Sequence, residues 1–534
     1  MNINFKDIPY FSNLFLDFVD KSDILQKFLP SNYVQDNALL FNSRLSKSNK
    51  NRIIINEAIK DSFIFDYTSQ QHKYYELINE KNTLFVITGQ QPALFGGPLY
   101  SLYKAFSAIA HAKKLSQKYS QFNFVPIFWV EDSDDDIDEV NKYVLIDNDS
   151  EIHNMKLDNI EKSKISNFSI YNTIHSIYER IKEVNFQDHT SNILYELNAI
   201  IDNTQYISEH FAQCLNLFTS EFGLLFVKSS EVYKHKIFND IIVDDLLHPN
   251  KLANLIESTN SKLIELGYKL QASTSEINFF YSNDLYRHRV LYNSTENSYT
   301  INNINYSPQE LKDLIYSGKG EFTPKVLLRP LLQDYFFPTA MYVGGAGEIA
   351  YLSQTSSLYS HFNIDMPIIE ARHSCTISNN SINRNIEKEH FSLQQLLRDF
   401  RIIENDLANE LMDKELELSF DKIAREINNL YQSISEQILV IDKSLNSNID
   451  MNINKSIDLL NNLKKKTLSQ LKKKNETRFS RLIKSNHYLY PNSNLQEREL
   501  NIFNIINDSN RSEFINQLLS ISNKEANTHY IIEL

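Results

Sequence analysis

The chain has 534 residues, 42% of them hydrophobic, which supplies several structural units with apolar side chains and excludes a disordered protein. Its 54 basic and 67 acidic residues give a formal charge of −13, so neither nucleic acid nor an anionic membrane is expected as a partner. The opening stretch MNINFKDIPYFSNLFLDFVD mixes acids into its apolar residues and lacks the basic segment of a signal peptide. No run of about 18 apolar residues follows, and a cytoplasmic location is expected. Cys214 and Cys375 are too few and too far apart to staple the fold or to ligate zinc, so both are read as buried, reduced thiols and no structural metal is expected.

In chain order, TLFVI (83–87) reads as a buried parallel strand. The loop TGQQPALFGG follows, and Pro98 stands where a helix can start, with Leu99, Leu102, Tyr103, Phe106, Ile109 and Ala110 forming an apolar face toward Lys114. FVPIFWV (124–130) is a second buried strand, completing a right-handed βαβ unit. Such sheets bind ligands beyond the carboxyl ends of their strands. The first strand delivers Thr88, Gly89, Gln90 and Gln91 there, read as an anion cradle at a helix entrance. The second delivers the acidic run from Glu131 to Glu139. Crowded carboxylates can hold a raised pKa for acid–base work, or receive an amine or a Mg²⁺–nucleotide.

Of ten glycines, six fall in two stretches, at Gly89, Gly96 and Gly97 and at Gly344, Gly345 and Gly347. A chain that otherwise avoids glycine needs positive φ or close backbone approach at these places. Around the second stretch, residues 323–354 set Arg329, Gln333, Asp334, Glu348, Tyr351 and Gln354 among apolar runs. An Arg329–Asp334 ion pair in a core turn is one reading, and a second phosphate or carboxylate cradle at GGAGE is another. MPIIEARHSCTI (366–377) reads as a strand ending at Arg372 and His373, where an arginine can grip a carboxylate bidentately.

No glycine occurs after Gly347 and no proline between Pro367 and Pro491. Within this region Phe420, Ile423, Ile427, Leu430, Ile434, Ile438, Ile441 and Leu445 recur at steps of three and four, as in a coiled-coil seam. A second run spans Ile449 to Leu471, with the tip of an antiparallel helical hairpin placed at LNSNIDMNIN (445–454). The expected class is α/β: a Rossmann-like parallel-sheet core over residues 1–380 with insertions at roughly 150–320, an α-helical antiparallel coiled coil over 381–488, and a segment 489–534 returning to the core.

The stretches TGQQPALFGGPLYSLYKA, VPIFWVEDSDDD, LLRPLLQDYFFPTAMYVGGAGEIAYLSQ, MPIIEAR and LQERELNI, in this order and spacing, resemble the cysteine-adding enzymes of bacillithiol biosynthesis over nearly the whole chain. The resemblance implies a ligase that joins cysteine to glucosaminyl-malate through an amide, and a homodimer assembled through the coiled coil. It places the pocket around Thr88, Gly89, Gln90, Gln91, Gly97, Tyr100 and Lys104. The facing wall comes from Glu131, Asp132, Arg329, Gln333, Glu348, Tyr351 and Arg372. ATP, with Mg²⁺, is the expected activating nucleotide. Glu131, Asp132 and Asp136 are the candidate catalytic acids, the Thr88–Gln91 loop and Lys104 are expected to steady phosphates, and Arg329 and Arg372 to hold malate. The family commonly has a histidine in the acidic run, whereas this chain has Ser133 and Asp135. A nucleotidyltransferase acting on a small sugar and a non-catalytic coiled-coil assembly protein are the alternative readings.

Overall fold

The computed structural model describes residues 1–29, 37–48, 51–157, 163–171, 173–185, 191–283 and 286–534. They form two units: residues 1–378 with 495–534, and residues 379–494. The centre of the first is a five-stranded sheet made of β1 (Thr83–Gln90), β2 (Asn123–Val130), β3 (Leu225–Lys228), β4 (Thr339–Gly344) and β5 (Ile368–Ala371). All neighbours are parallel and the spatial order is β5-β4-β1-β2-β3. This is a Rossmann-like, doubly wound arrangement whose direction of winding reverses between β1 and β4, where such folds open a crevice at the strand ends.

The apolar run of β1 explains its central place. Phe85 and Ile87 enter the core on one face of the sheet and Leu84 and Val86 enter the core on the other, so both faces are covered. Helix α1 (Leu99–Lys118) crosses from β1 to β2 and is buried along most of its length. β1 continues through Thr88, Gly89 and Gln90, which were expected in the loop; their pairing with Phe128, Trp129 and Val130 keeps them in the sheet. Residues 91–98 then separate the strand from α1, so Thr88–Gln90 do not form the entrance of that helix.

A second sheet of five strands, antiparallel throughout, is inserted between β3 and β4 and runs in spatial order Ile304–Tyr306, Ser298–Ile301, Arg287–Asn293, Phe279–Ser282, Glu321–Pro324. A third sheet joins the two ends of the chain: Thr528–Glu533 lies between Asn2–Asn4 and Ser374–Ser378. The strand expected to end at Arg372 and His373 does so, as β5, and the residues after His373 begin a separate strand in this third sheet.

The second unit is built on a helical hairpin of α5 (Lys414–Ile441) and α6 (Asn446–Lys474). Tyr431 Oη lies 3.3 Å from Ser456 Oγ and Lys464 pairs with Glu417 at 3.7 Å, which makes the helices antiparallel. The turn falls at Asp442–Leu445, where the Asp442 side chain accepts from the Ser444 N–H. LNSNIDMNIN, expected as the tip, lies almost wholly inside α6, because Ile449 and Ile453, one helical turn apart, are buried and hold that asparagine-rich segment in register. Phe420 is buried on α5, but Ile423, Leu430, Ile434 and Ile441 of the expected seam remain exposed.

Arg44 shows how the core fixes the β4 edge. Its guanidinium is fully enclosed and donates to the carbonyls of Asp334, Phe337, Thr339 and Asp365. These include carbonyls at the end of the helix that precedes β4, which have no partner within it. Arg44→Met should lower the stability of the core unit by at least about 3 kcal/mol, since several buried acceptors lose their donor together. Urea denaturation monitored at Trp129 checks this as a lower midpoint at unchanged slope.

Candidate functional site

The crevice at the reversal point is bridged by one buried ion pair. Lys104 on α1 is almost completely enclosed and its Nζ lies 2.5 Å from Glu348 Oε2. Glu348 belongs to α4 (Ala346–Ser353), the helix that follows β4. The same ammonium donates to Gly89 O at 2.7 Å and Gln90 Oε1 at 2.9 Å, which engages all three of its protons. Lys104, expected to steady phosphates, is thus spent on tying the end of β1 to α4. Burial acts to raise the Glu348 carboxyl, but Lys104, the Gly345 N–H and Tyr342 outweigh it and hold the carboxyl below its usual range.

Glu348 also caps its own helix, accepting from Gly345 N at 2.8 Å. The GGAGE segment, read as a cradle for an external anion, therefore already holds a carboxylate of the chain itself. From Glu348 Oε1 the network continues through Tyr342 Oη at 2.6 Å to Arg329, which lies on α3 (Arg329–Phe336). Arg329 donates to Tyr351 Oη at 2.7 Å and to Gln333 Oε1 at 3.1 Å. It makes no ion pair with Asp334, whose carboxylate instead accepts from Tyr359 Oη beside Arg44. The ion-pair reading of Arg329 and Asp334 is thereby replaced.

Above this network lies a cavity of about 680 Å³ lined by Gly89, Gln90, Gln91, Trp129, Glu131, Asp134, Asp135, Asp136, Glu139, Arg287, Lys325, Arg329, Tyr342, Glu348 and Tyr351, among others. Glu131 is held at its wall by Trp129 Nε1 at 2.9 Å and Ser229 Oγ at 2.7 Å. Burial pushes its carboxyl above the usual range, against the field of Arg329 and these hydrogen bonds. Asp132 turns away: it is fully buried and accepts from Ser230 N and Ser230 Oγ, both at 2.9 Å, at the start of the short helix α2 (Ser229–Tyr233). Its role is to seat that helix, and it does not line this cavity. Ser133 is likewise buried, 2.6 Å from Ser229 Oγ, whereas Asp135 lines the cavity.

Gln91 Nε2 donates to Asp134 Oδ2 at 2.7 Å, and Arg287 reaches from the inserted sheet to Asp134 Oδ1 at 2.6 Å. Arg287 was missed by the sequence reading, whereas Glu139 lies in the acidic run and Lys325 in the 323–354 stretch, without being singled out there. The insertion carries no glycine cluster or motif to mark Arg287, and only the folded path brings it to the acidic run.

A second cavity, of about 600 Å³, shares Gln90, Gln91 and Glu139 with the first and is lined further by Gly97, Tyr100, Lys142, Tyr143, Lys156, Arg498 and Asn501. Gly97 has φ of 73°, which favours glycine, and a Cβ there would meet Ser101 Oγ at 3.1 Å. Gly89 is required for a different reason: a Cβ would stand 2.8 Å from Trp129 O on the neighbouring strand. Of the expected residues, Thr88, Lys104, Asp132, Gln333 and Arg372 line neither cavity. Thr88 Oγ1 donates to Val343 O and stitches β1 to β4. Arg372 is enclosed, with one terminal guanidinium nitrogen on Glu497 Oε1 at 2.6 Å and the other on His373 O at 2.9 Å, so the fork expected to grip a carboxylate ligand is taken by the chain itself.

With this geometry in view, the comparison with known proteins is direct. The family description "Bacillithiol biosynthesis BshC, N-terminal Rossmann-like domain" matches residues 1–373, and "Bacillithiol biosynthesis BshC, C-terminal coiled-coil domain" matches residues 375–534. The chain belongs to the BshC family. Relatives named "Putative cysteine ligase BshC" include those of Flavobacterium psychrophilum, 27% identical, and Flavobacterium johnsoniae, 26% identical, where the alignments cover 94% and 93% of both chains. The relative from Chlorobaculum tepidum is 24% identical over 98% of this chain and 97% of its own. The family's Rossmann-like and coiled-coil parts correspond to the central sheet and the α5–α6 hairpin.

Removing either partner of the Lys104–Glu348 pair leaves a buried charge. Lys104→Met and Glu348→Gln should each cost about 3–5 kcal/mol, and the double variant clearly less than their sum. Because the Glu348 carboxyl is depressed in the folded state, its stabilisation is present above the ordinary carboxylate range and is lost as pH falls through the folded value. A double-mutant cycle by chemical denaturation at neutral and acidic pH measures both effects.

Proposed function

We propose that this BshC-family chain is a cysteine ligase that forms an amide between the carboxyl of cysteine and the amine of glucosaminyl-malate, completing bacillithiol. The observation that carries the reading is the first cavity, where the ionisable Glu131 lies at the end of β2 beside the Lys104–Glu348–Tyr342–Arg329 network. The names of the aligned relatives support the ligase class.

A sugar amine is protonated at neutral pH and cannot attack until it gives up its proton. Glu131 would take it, acting as the base from an enclosed position where its carboxyl sits above the usual range. Asp134, fixed by Gln91 and Arg287, and the exposed Asp136 would hold the ammonium form as it enters. A carboxylate is a poor electrophile, and ATP would supply the activating group when bound. The lining fits a Mg²⁺–nucleotide: Asp135 and Asp136 offer hard oxygen donors, while Lys325 and Arg329 offer charge for phosphates. Asp132 serves in this scheme as a positioning residue.

Purified protein incubated with cysteine, glucosaminyl-malate and ATP should yield bacillithiol by LC–MS. Glu131→Gln should lower kcat by about 10²–10⁴-fold. The base must be deprotonated to work, so kcat/KM should fall as pH drops through the raised pKa of Glu131, and the variant should lack that limb. A product of pyrophosphate and a nucleotide-linked sugar without cysteine would replace this reading with a nucleotidyltransferase.

The dimer forms part of the same proposal. Ile423, Leu430, Ile434 and Ile441 are exposed on α5, and a second copy of the hairpin would cover them. Leu430→Glu with Ile434→Glu should convert a dimer to a monomer in sedimentation velocity while leaving the helical circular dichroism in place.

A further inference from the structure

The second cavity carries a charge pattern that the amide-forming scheme does not use. Lys142 and Lys156 lie on adjacent antiparallel strands, Lys142–Ile146 and Ile152–Lys156, and are direct cross-strand partners. Like charges placed opposite one another in this way repel, so the pairing costs the hairpin stability unless something anionic lies between or above them. Neither lysine comes within 4.0 Å of a carboxylate among the described residues, and at the Glu139 carboxyl, where burial dominates, Lys142 exerts only a weak pull. Arg498 completes the group. Its guanidinium stacks over the rings of Tyr10 at 5.3 Å and Tyr100 at 5.6 Å and makes no ion pair among the described residues. The stacking leaves the edge of the guanidinium, where its donors lie, available for a bidentate acceptor.

All three cations line the same cavity as Tyr100, Gln90 and Gln91. Its acidic members are Glu499 and Glu139, the latter on the boundary with the first cavity. Across the Gln90–Gln91 partition the balance of charge changes, because the first cavity sets Glu131, Asp134, Asp135, Asp136, Glu139 and Glu348 against Arg287, Lys325 and Arg329. A substrate with a cationic amine at one end and a doubly charged anion at the other would meet matching charge at both ends.

We propose that the second cavity is an anion subsite, in which Lys142, Lys156 and Arg498 bind the multiply charged end of a reactant while its reacting end crosses Gln90–Gln91 into the first cavity. The chemistry is that of a vicinal pair of carboxylates or of a polyphosphate, supplied by the acceptor's malyl group or by the nucleotide. This rests on the ligase reading for its substrates, and the charge pattern that motivates it stands apart from that reading.

The test uses the full chain with Arg498→Gln and the double variant Lys142→Gln/Lys156→Gln, each checked against the parent for thermal midpoint. In steady-state assays with each reactant varied in turn, KM for one anionic reactant should rise at least tenfold with kcat changed less than threefold, and KM for cysteine should stay constant. A rise for glucosaminyl-malate assigns the subsite to its carboxylates, and a rise for ATP assigns it to phosphates. Unchanged KM for both overturns the proposal while leaving the ligase reading intact. If the parent forms no product, that reading fails alone, and calorimetric titration with L-malate and with inorganic tripolyphosphate decides the subsite. Binding to the parent that is lost in both variants upholds it, and binding of neither, or binding retained in the variants, overturns it. Lys156→Arg, which keeps the charge, should retain the parent's KM or affinity, a rescue that a loss of folding would not show.

Discussion

The arrangement of the core depends on a lysine that is buried where a doubly wound sheet would otherwise be open. The ladder between β1 and β4 stops at Ile87 and Tyr342, and beyond the Thr88 hydroxyl on Val343 O the sheet itself supplies no link between the end of β1 and the helix that follows β4. Lys104 supplies that link by bonding Gly89 O and Gln90 Oε1 on one side and Glu348 on the other. An enclosed ion pair is not a source of large net stability, because desolvating two charges offsets their attraction. What it imposes is geometry. Each alternative placement of α4 leaves an ammonium or a carboxylate unpaired in a dry setting. Tyr342, Arg329 and Tyr351 then inherit their positions from Glu348 through successive hydrogen bonds.

This arrangement divides the acids of the second strand end into separate duties. Asp132 and Glu131 are adjacent in sequence and both enclosed, yet one is turned into the start of α2 and the other into the cavity wall. Ser229 lies between them, 2.7 Å from Glu131 and 3.1 Å from Asp132, and keeps them from sharing one water-filled space. Asp134 is neutralised in part by Arg287, and Asp136 remains exposed. A run of like charges that would be a solvated turn on a surface becomes a graded set of carboxylates once some are capped and others are not.

The βαβ unit of β1 and β2, the coiled-coil periodicity and the first glycine stretch were legible in sequence because each is a local pattern: an apolar run, a repeat of three and four, a residue type that is otherwise avoided. The second stretch was misread, since Gly344, Gly345 and Gly347 have no positive φ and a Cβ at Gly345 or Gly347 would meet nothing nearer than 3.5 Å. Glu131, Gln91, Glu348, Arg329 and Tyr351 were legible as cavity residues because they sit at strand or helix ends, where a local reading already predicts exposure to a crevice. Thr88, Gln333 and Arg372 looked equivalent and are not. Whether a polar side chain at such an end faces the cavity or its own backbone is decided by partners far away, Val343 for Thr88 and Glu497 for Arg372. The hairpin tip was misplaced for a related reason. Asparagines favour turns locally, but two isoleucines with somewhere to be buried keep them helical.

The segment 495–501 shows how far such distant control reaches. Glu497 and Arg498 are neighbours with opposite fates: Glu497 is wholly buried against Arg372, Ser374 and the Cys375 N–H, and Arg498 faces the second cavity. Three residues on, the Asn501 amide donates to the carbonyls of Phe95 and Gly97, with Leu94 O within 3.3 Å, and Leu500 O accepts from the first amide of α1. Within the loop Leu94 O already accepts from the Gly97 N–H at 2.9 Å, but Phe95 O and Gly97 O take their donor from Asn501, and a buried carbonyl without a donor is costly. Its conformation is therefore completed by residues some four hundred positions later. Leu500 and Asn501 thus tie the loop, and the cavity it walls, to a segment that lies beyond the helical hairpin in sequence, so the site is built on contacts of high sequence separation that no local pattern could reveal.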